Sequence, residues 1–290
     1  MKVAVKAYAK INLLLDILGT LENGYHDLFM LMQSVGIYDI VTVEANESKD
    51  ITITCDIADI PTDERNIAYK AAKAFFDFVQ MNVKGINIDI QKRIPHAAGL
   101  AGGSADGAAV VVALKKMYAP NLSDRDIIEI CSSFGSDVPF CAIGGTMLAQ
   151  NTGTVLTYLP QLEIKNIVIV KPDCGVSTGA AYKAFDTAER VRHLNRETML
   201  KSVLNMDMQT LYRCVGNVFE QFIDVPERVV IKSVMRKFGA VCSCMSGSGP
   251  SVFGVFSDSK KAAECAKELE KSFKQTFLCS SVKQGCEIIA

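Results

Sequence analysis

Alternation of apolar and polar residues predicts strands over much of the first half of this chain. Residues 2–8 and 11–18 alternate with a period of two, which is typical of a half-buried strand. The same pattern predicts strands at about 28–35, 39–45 and 51–55. Three later strands, the last two of which close this half, are predicted at 85–91, 144–149 and 154–158.

Three segments between these strands are predicted to be helices. Residues 65–79 carry apolar positions at helical spacing, and 108–118 are typical of a buried helix with a basic last turn. Residues 123–134 form a third predicted helix. Its start is marked by the capping residue Ser123 and by acidic residues in the first turn.

A second series of predicted strands and helices begins at about residue 163. Residues 167–170 predict a buried strand, Ser177 begins a capped helix, and 188–224 is helical and more polar. When 188–224 is set aside as an insertion, the order of elements resembles a split βαβ, ferredoxin-like unit. We therefore predict two domains, 1–160 and 161–290. The remaining predicted elements are a helix at 228–238, strands at 240–245 and 251–257, a helix at 260–273 and a last strand at 276–283.

The stretch Pro95–Gly107 lies between a predicted strand and a predicted helix and has three glycines within five residues. Glycine lets the backbone approach a ligand closely, and a helix start offers free N–H groups to an anion. This favours a phosphate site over a plain turn. Ser104 is expected to cap the helix or to bond a phosphate oxygen. The spacing matches neither a Walker loop nor a dinucleotide fingerprint. A second small-residue turn, 245–251, is either a hairpin connection or a further close approach to phosphate or to the first loop.

Three further positions have both a structural and a functional interpretation. Lys10, in an extended segment, either reaches the surface along its aliphatic stem or lies in a site. Asp137 precedes a Val-Pro pair, where an aspartate serves as a turn residue or as a catalytic carboxylate. Tyr25 and His26 follow an Asn-Gly turn signal, and they form either a strand edge or a site for a flat ligand.

Composition narrows the class of protein. The 290 residues are 49% hydrophobic, with a formal net charge of −1 that is mixed along the chain, which argues against a nucleic-acid-binding protein. Apolar runs are too short for a membrane helix, and the first residues lack the apolar region of a signal peptide, so we expect a cytoplasmic protein without a membrane partner. The ten cysteines are dispersed and are expected to be buried thiols.

Three separated motifs carry a family resemblance. Residues 9–13 (Ala-Lys-Ile-Asn-Leu), 95–105 and 246–253 resemble the signatures of the galactokinase, homoserine kinase, mevalonate kinase and phosphomevalonate kinase (GHMP) superfamily. Within it, Gly24-Tyr25-His26 and Gly-Ser-Asp-Val-Pro-Phe at 135–140 are similar to the 4-diphosphocytidyl-2-C-methyl-D-erythritol kinases. The resemblance implies an α+β fold, with a ribosomal-protein-S5-like N-terminal domain and a ferredoxin-like C-terminal domain.

The resemblance also implies a reaction and its residues. ATP would phosphorylate the 2-hydroxyl of 4-diphosphocytidyl-2-C-methyl-D-erythritol, a small-molecule substrate of non-mevalonate isoprenoid precursor synthesis. Asp137 would accept the hydroxyl proton, with Lys10 beside it. Mg²⁺ would accompany ATP with Ser104 as a possible contact and no dedicated protein cage, and the enzyme would be a monomer or a homodimer.

The resemblance also implies which residues bind the two ligands. ATP would be bound by Pro95, His96, Ala97, Ala98, Gly99, Leu100, Ala101, Gly102, Gly103, Ser104 and Ala105, with a second glycine-rich loop at Ser246, Gly247, Ser248 and Gly249. Substrate would be bound by Asn12, Tyr25, His26, Thr178 and Tyr182, with the cytosine read by His26 and stacked on Tyr25.

Departures from the family pattern are Asn23, Ala101, Ala105 and Gly107, and an effect on nucleotide affinity is expected. Two alternatives remain at this point. One is another GHMP kinase of the homoserine or mevalonate type, against which the motifs at 24–26 and 137–139 argue. The other is an S5-like nucleic-acid-binding module, against which the balanced charge argues.

Overall fold

The structure, a computed structural model, describes residues 1–83 and 85–290 and contains two β-sheets flanked by helices. The larger sheet contains β1 (Lys2–Thr20), β2 (His26–Ala45), β3 (Ile51–Cys55), β4 (Ile86–Gln91), β5 (Thr146–Asn151), β6 (Val155–Tyr158), β8 (Gly216–Asn217) and β12 (Cys286–Ile288). The smaller contains β7 (Ile167–Lys171), β9 (Cys242–Met245), β10 (Val252–Val255) and β11 (Gln275–Cys279). The helices are α1 (Ile67–Phe78), α2 (Gly102–Tyr118), α3 (Asp124–Ser132), α4 (Val138–Ile143), α5 (Thr178–Asp186), α6 (Arg196–Leu204), α7 (Met208–Cys214), α8 (Pro226–Lys237) and α9 (Ser259–Glu270), with a 3-10 helix at Val218–Gln221.

The long β1–β2 hairpin replaces what the alternation predicted as four shorter strands. The two strands pair antiparallel along almost their whole length, with register shifts at Tyr8/Ala9 and Asn12/Leu14. A bulge adds a residue to one strand, so the alternation is interrupted while the pairing continues. The turn signal at Asn23-Gly24 is confirmed, since this pair lies in the turn and Gly24 has a φ of +81°.

Helix α2 begins at Gly102, six residues before the predicted start, so the second half of the glycine-rich stretch is helical. Its N-cap is Ala101, in the left-handed region at φ +59°. Ser104 is the third residue of the helix, and the prediction that it caps the helix is wrong. By contrast, the predicted capping of α3 by Ser123 is confirmed by a reciprocal capping box with Asp126.

The second sheet has the order β11-β7-β10-β9 and is antiparallel throughout, in agreement with the ferredoxin-like order predicted for this half. Two short strands from the same half extend the first sheet instead. Strand β8 pairs in parallel with Leu14 and Leu15 of β1, and β12 pairs antiparallel with β1. Neither is long enough to show a periodic pattern. The division at residue 160 stays a prediction.

The ten cysteines differ in how far their side chains are buried. All ten are free thiols, of which Cys131, Cys141, Cys244 and Cys265 are buried and the other six are partly exposed. The expectation of buried thiols is therefore correct for four of the ten.

A buried carboxylate ties the predicted insertion to β1. Asp16 is fully buried, and it accepts hydrogen bonds from the backbone N–H of Leu194 at 3.2 Å and from Nδ1 of His193 at 3.2 Å. Nε of Arg196 lies 3.5 Å from its second oxygen. These contacts hold the start of α6 against the strand that carries Lys10.

We expect Asp16→Ala to lower the free energy of unfolding by about 2–3 kcal/mol, because charge-assisted hydrogen bonds of a buried carboxylate are lost. Urea unfolding would measure this. Asp173→Ala, at an exposed aspartate, is the matched control and should change stability by less than about 0.5 kcal/mol. Equal effects of the two substitutions would show that Asp16 does not anchor the segment.

Candidate active site

A cleft of about 710 Å³ is lined by residues of both glycine-rich loops, the β1–β2 hairpin and helix α5. Most of the site residues predicted from the sequence line it: Lys10, Tyr25, His26, Pro95, His96, Ala97, Ala98, Gly99, Ala101, Gly102, Gly103, Ser104, Asp137, Thr178, Tyr182, Gly247, Ser248 and Gly249. The other four, Asn12, Leu100, Ala105 and Ser246, are fully buried behind it. The structure thus brings together residues that are up to about 240 positions apart in the sequence.

Lys10 and Asp137 form an ion pair in the wall of the cleft. Lys10 is 3% exposed, and its Nζ lies 3.6 Å from Oδ2 of Asp137. The same ammonium donates a 2.7 Å hydrogen bond to Oδ1 of Asn12. The alternative that Lys10 extends to the surface is therefore wrong. Asp137 occupies the N-cap position of α4, with Pro139 as the second residue of the helix, and its partly exposed carboxylate lies beside Lys10 and lines the cleft.

The two glycine-rich loops lie in direct contact, and the second loop also bonds to Asn12 of β1. Oγ of Ser246 donates a 2.9 Å hydrogen bond to the carbonyl of Gly99, and the N–H of Gly247 donates to Oδ1 of Asn12 at 3.0 Å. A Cβ added at Gly99, whose φ is +73°, would lie 2.1 Å from the carbonyl oxygen of Ser246. The second loop is a hairpin connection between β9 and β10, and its close approach to the first loop is also confirmed.

The start of α2 faces the cleft with free backbone N–H groups. The first helical hydrogen bond runs from the N–H of Ala105 to the carbonyl of Ala101. The N–H groups of Gly102, Gly103 and Ser104 therefore precede the helical bonding pattern, and all three residues line the cleft. Free N–H groups at the positive end of a helix dipole form an anion site.

A buried charge cluster lies beneath this helix start. Nζ of Lys92 donates to Oδ2 of Asp39 at 2.5 Å and to Oδ2 of Asp106 at 2.6 Å. Asp39 also accepts from the backbone N–H groups of Arg93 and Ile94, which fixes the entry to the loop. Burial raises the pKa of Asp106 above the usual range of an aspartate. The sequence analysis missed this cluster. Its one available signal was a lysine directly between a strand and the glycine-rich stretch.

Aromatic residues form the other end of the cleft. The ring of His26 stacks on Tyr182, with centroids 4.4 Å apart and an interplanar angle of 24°. Nε2 of His26 lies 2.6 Å from Oδ1 of Asp186, at the end of α5. Tyr25 is 63% exposed at the cleft mouth. Burial, together with the charge of Asp137, raises the pKa of Tyr182.

Two further contacts support this end of the cleft. Oγ1 of Thr178 and Oγ of Ser248 are 3.0 Å apart, so α5 touches the second glycine-rich loop. Phe219 packs edge-on against Tyr182 with centroids 5.1 Å apart. Phe219 and Asp186 were not predicted as site residues, because each is unremarkable within its own helical segment.

Within 1–83 and 85–290, no group of three or more His, Cys, Asp or Glu side chains is placed to hold a metal ion. Over the same residues, none of the helices has the length and apolar character needed to cross a bilayer.

Comparison with known proteins gives the family. Residues 66–145 match the model of the GHMP kinase N-terminal domain, and 199–275 match that of the GHMP kinase C-terminal domain. A 4-diphosphocytidyl-2-C-methyl-D-erythritol kinase of Clostridium beijerinckii is 41% identical over 280 residues, which cover 96% of this chain and 99% of the relative. The chain belongs to the 4-diphosphocytidyl-2-C-methyl-D-erythritol kinase family.

Solved structures agree with this assignment. The crystal structure of a 4-(cytidine 5'-diphospho)-2C-methyl-D-erythritol kinase, 27% identical, superposes with a TM-score of 0.80 and covers 97% of this chain and 99% of that one. A homoserine kinase from Cytophaga hutchinsonii has a TM-score of 0.81 at 20% identity, with 99% and 97% of the two chains covered. That second likeness shows the fold alone. The predicted two-part α+β GHMP kinase fold is confirmed.

The departures from the GHMP kinase pattern have distinct structural settings. Ala101 lies at the cleft as the left-handed N-cap of α2. Ala105 is fully buried, so the hydroxyl that it lacks would not face the cleft. The effect on nucleotide affinity stays a prediction.

We expect Gly99→Ala to weaken ATP binding about tenfold, because overpacking between the two loops costs about 1–3 kcal/mol. Calorimetric titration with ATP would measure the change. Gly175→Ala is the control, since a Cβ there would meet open space within the described part of the chain. Unchanged ATP affinity in Gly99→Ala would show that the loops tolerate separation.

Proposed function

We propose that this protein transfers the γ-phosphoryl group of ATP to the 2-hydroxyl of 4-diphosphocytidyl-2-C-methyl-D-erythritol, a step of non-mevalonate isoprenoid precursor synthesis. The observation that carries the proposal is the position of the Lys10–Asp137 pair. It lies in one cleft with an anion-binding helix start and an aromatic recess. Phosphoryl transfer depends chiefly on positioning and on stabilisation of charge, and this arrangement supplies both.

The nucleotide phosphates would lie at the start of α2. The N–H groups of Gly102, Gly103 and Ser104 face that part of the cleft, and the Pro95–Ala101 segment forms its rim. Mg²⁺ accompanying ATP would be held mainly by phosphate oxygens and the Ser104 hydroxyl, which fits an oxygen-preferring ion and the small number of protein ligands around it. Bound there, the ion would neutralise phosphate charge.

Asp137 would act on the acceptor hydroxyl. As the new bond from the 2-oxygen to the γ-phosphorus forms and the bond between the γ-phosphorus and the bridging oxygen breaks, the hydroxyl proton passes to Asp137 and ADP leaves. Lys10, 3.6 Å away, favours the ionised carboxylate and stabilises negative charge on the transferring group. Asn12 holds the ammonium in place through its 2.7 Å hydrogen bond.

The cytosine end of the substrate would occupy the aromatic recess. Tyr25 at the mouth and Tyr182 on α5 offer ring faces, and His26, which stacks on Tyr182 and has Nε2 engaged by Asp186, offers Nδ1. The imidazole of His26 stacks on the ring of Tyr182. A base that enters between Tyr25 and Tyr182 would therefore have to displace the imidazole from that face of the Tyr182 ring. Thr178 would contribute through its position beside Ser248.

The proposed site is complete within one chain, so either a monomer or a homodimer would be active. All ten cysteines are free thiols, which fits a reducing compartment such as the cytoplasm.

We expect Asp137→Ala to lower kcat about 10²–10⁴-fold, the usual contribution of a positioned proton acceptor, while ATP binding stays near normal. Asp137→Asn keeps the side-chain shape but cannot accept the proton, and it should lose a similar factor. A coupled ADP-release assay with the diphosphocytidyl substrate would measure both. Turnover near the wild-type value in either variant would contradict the assigned role.

We expect Tyr25→Ala to raise KM for the diphosphocytidyl substrate about tenfold, since loss of one base–aromatic stack costs about 1–3 kcal/mol. The KM for ATP should stay unchanged. Tyr25→Phe keeps the ring and is the matched control. If Tyr25→Ala leaves the substrate KM unaltered, Tyr25 does not contact the base.

A further inference from the structure

We propose that Asn217 is a positioning residue for phosphoryl transfer. It fixes the second glycine-rich loop and, through that loop, the Asn12 and Lys10 side chains. The proposal rests on the proposed function, because its readout is turnover of the same substrate. Asn217 lies in the segment that the sequence analysis set aside as an insertion, and none of the three motifs includes it.

The backbone around Asn217 is fixed by the larger sheet. Strand β8 pairs in parallel with β1, with Asn217 opposite Leu15 and Gly216 opposite Leu14. These partners lie a few residues beyond Lys10 and Asn12 on the same strand. Asn217 is 4% exposed, so its amide is held behind the cleft rather than in solvent.

Both N–H groups and the oxygen of the Asn217 side-chain amide form hydrogen bonds with other groups of the protein. Nδ2 donates to the carbonyl of Met245 at 2.8 Å and to the carbonyl of Gly247 at 2.7 Å, on either side of Ser246. Oδ1 accepts from the backbone N–H of Phe219 at 3.0 Å. A helix cap needs only the oxygen. The two N–H groups are therefore directed to the glycine-rich loop, and capping alone does not account for them.

The contact continues from the loop to the ion pair. Gly247, in the left-handed region at φ +56°, directs its N–H to Oδ1 of Asn12 at 3.0 Å. That oxygen also accepts from Nζ of Lys10, which lies 3.6 Å from Asp137. An unbroken series of hydrogen bonds thus runs from Asn217 through Gly247 and Asn12 to the ammonium beside the proposed proton acceptor.

The test is a double-mutant cycle on kcat with Asn217→Ala, Asn12→Ala and the double variant. We expect Asn217→Ala to lower kcat about 10–100-fold, since small displacements of catalytic groups cost factors of this size. If both residues act through one series of contacts, the double variant should lose little more than about twofold beyond Asn12→Ala alone. Asn205→Ala, at an exposed helix end, is the matched control and should turn over like the wild type.

Multiplicative losses in the double variant, or an Asn217→Ala kcat equal to that of Asn205→Ala, would overturn the proposal. A general loss of structure would reduce the folded fraction, which circular dichroism at the assay temperature measures separately. If Asn217→Ala does not fold, Asn217→Ser, which keeps one donor, replaces it in the cycle with the same criterion. Wild-type protein that does not turn over the diphosphocytidyl substrate would refute the proposed function instead, before any variant is compared.

Discussion

The ammonium of Lys10 sets the main constraint on this structure, because a buried charge costs several kcal/mol unless its partners are in place. At 3% exposure it has Asp137 at 3.6 Å and Asn12 at 2.7 Å. Asn12 is in turn held by the N–H of Gly247, so the charge is compensated only when three distant segments meet. The compensation of the Lys10 charge therefore depends on the contact between these segments. The loops can meet because Gly99 offers Ser246 a backbone without a side chain.

The segment 188–224 supports the cleft from behind, although its sequence pattern is that of a helical insertion. Asp16 anchors its start to β1, and β8 runs beside the same strand. From that short strand, Asn217 reaches the second glycine-rich loop and Phe219 backs Tyr182. One segment therefore sets both the glycine-rich end and the aromatic end of the cleft. A shift of β8 relative to β1 would move both ends together.

Much of the fold was predictable because its signals are local. Local sequence patterns predicted β3, β4 and the strands of the second sheet, and a capping serine predicted the start of α3. The continuous β1 and β2 were not predictable, since bulges interrupt the alternation without ending the pairing. Strands β8 and β12 have two and three residues, too few for any period. The positions of β8 and β12 depend on which edge of β1 the rest of the chain leaves unpaired.

The residues of the candidate site also divide into those that could be predicted from the sequence and those that could not. Residues in contiguous motifs, such as Lys10, Asp137 and the Pro95–Ala105 stretch, could be named in advance and line or back one cleft. The supporting residues Lys92 and Asn217 could not be named in advance, because their roles depend on partners elsewhere in the chain.

Gly107, a departure from the family pattern, also has an effect that depends on a partner elsewhere in the chain. Within a helix, glycine costs about 0.5–1 kcal/mol relative to alanine. However, a Cβ at Gly107 would lie 2.6 Å from Cγ2 of Ile67, which is itself a cleft-lining residue at the start of α1. The glycine therefore lets α1 approach α2 and places Ile67 in the cleft wall, so its first effect is on the packing beside the first glycine-rich loop.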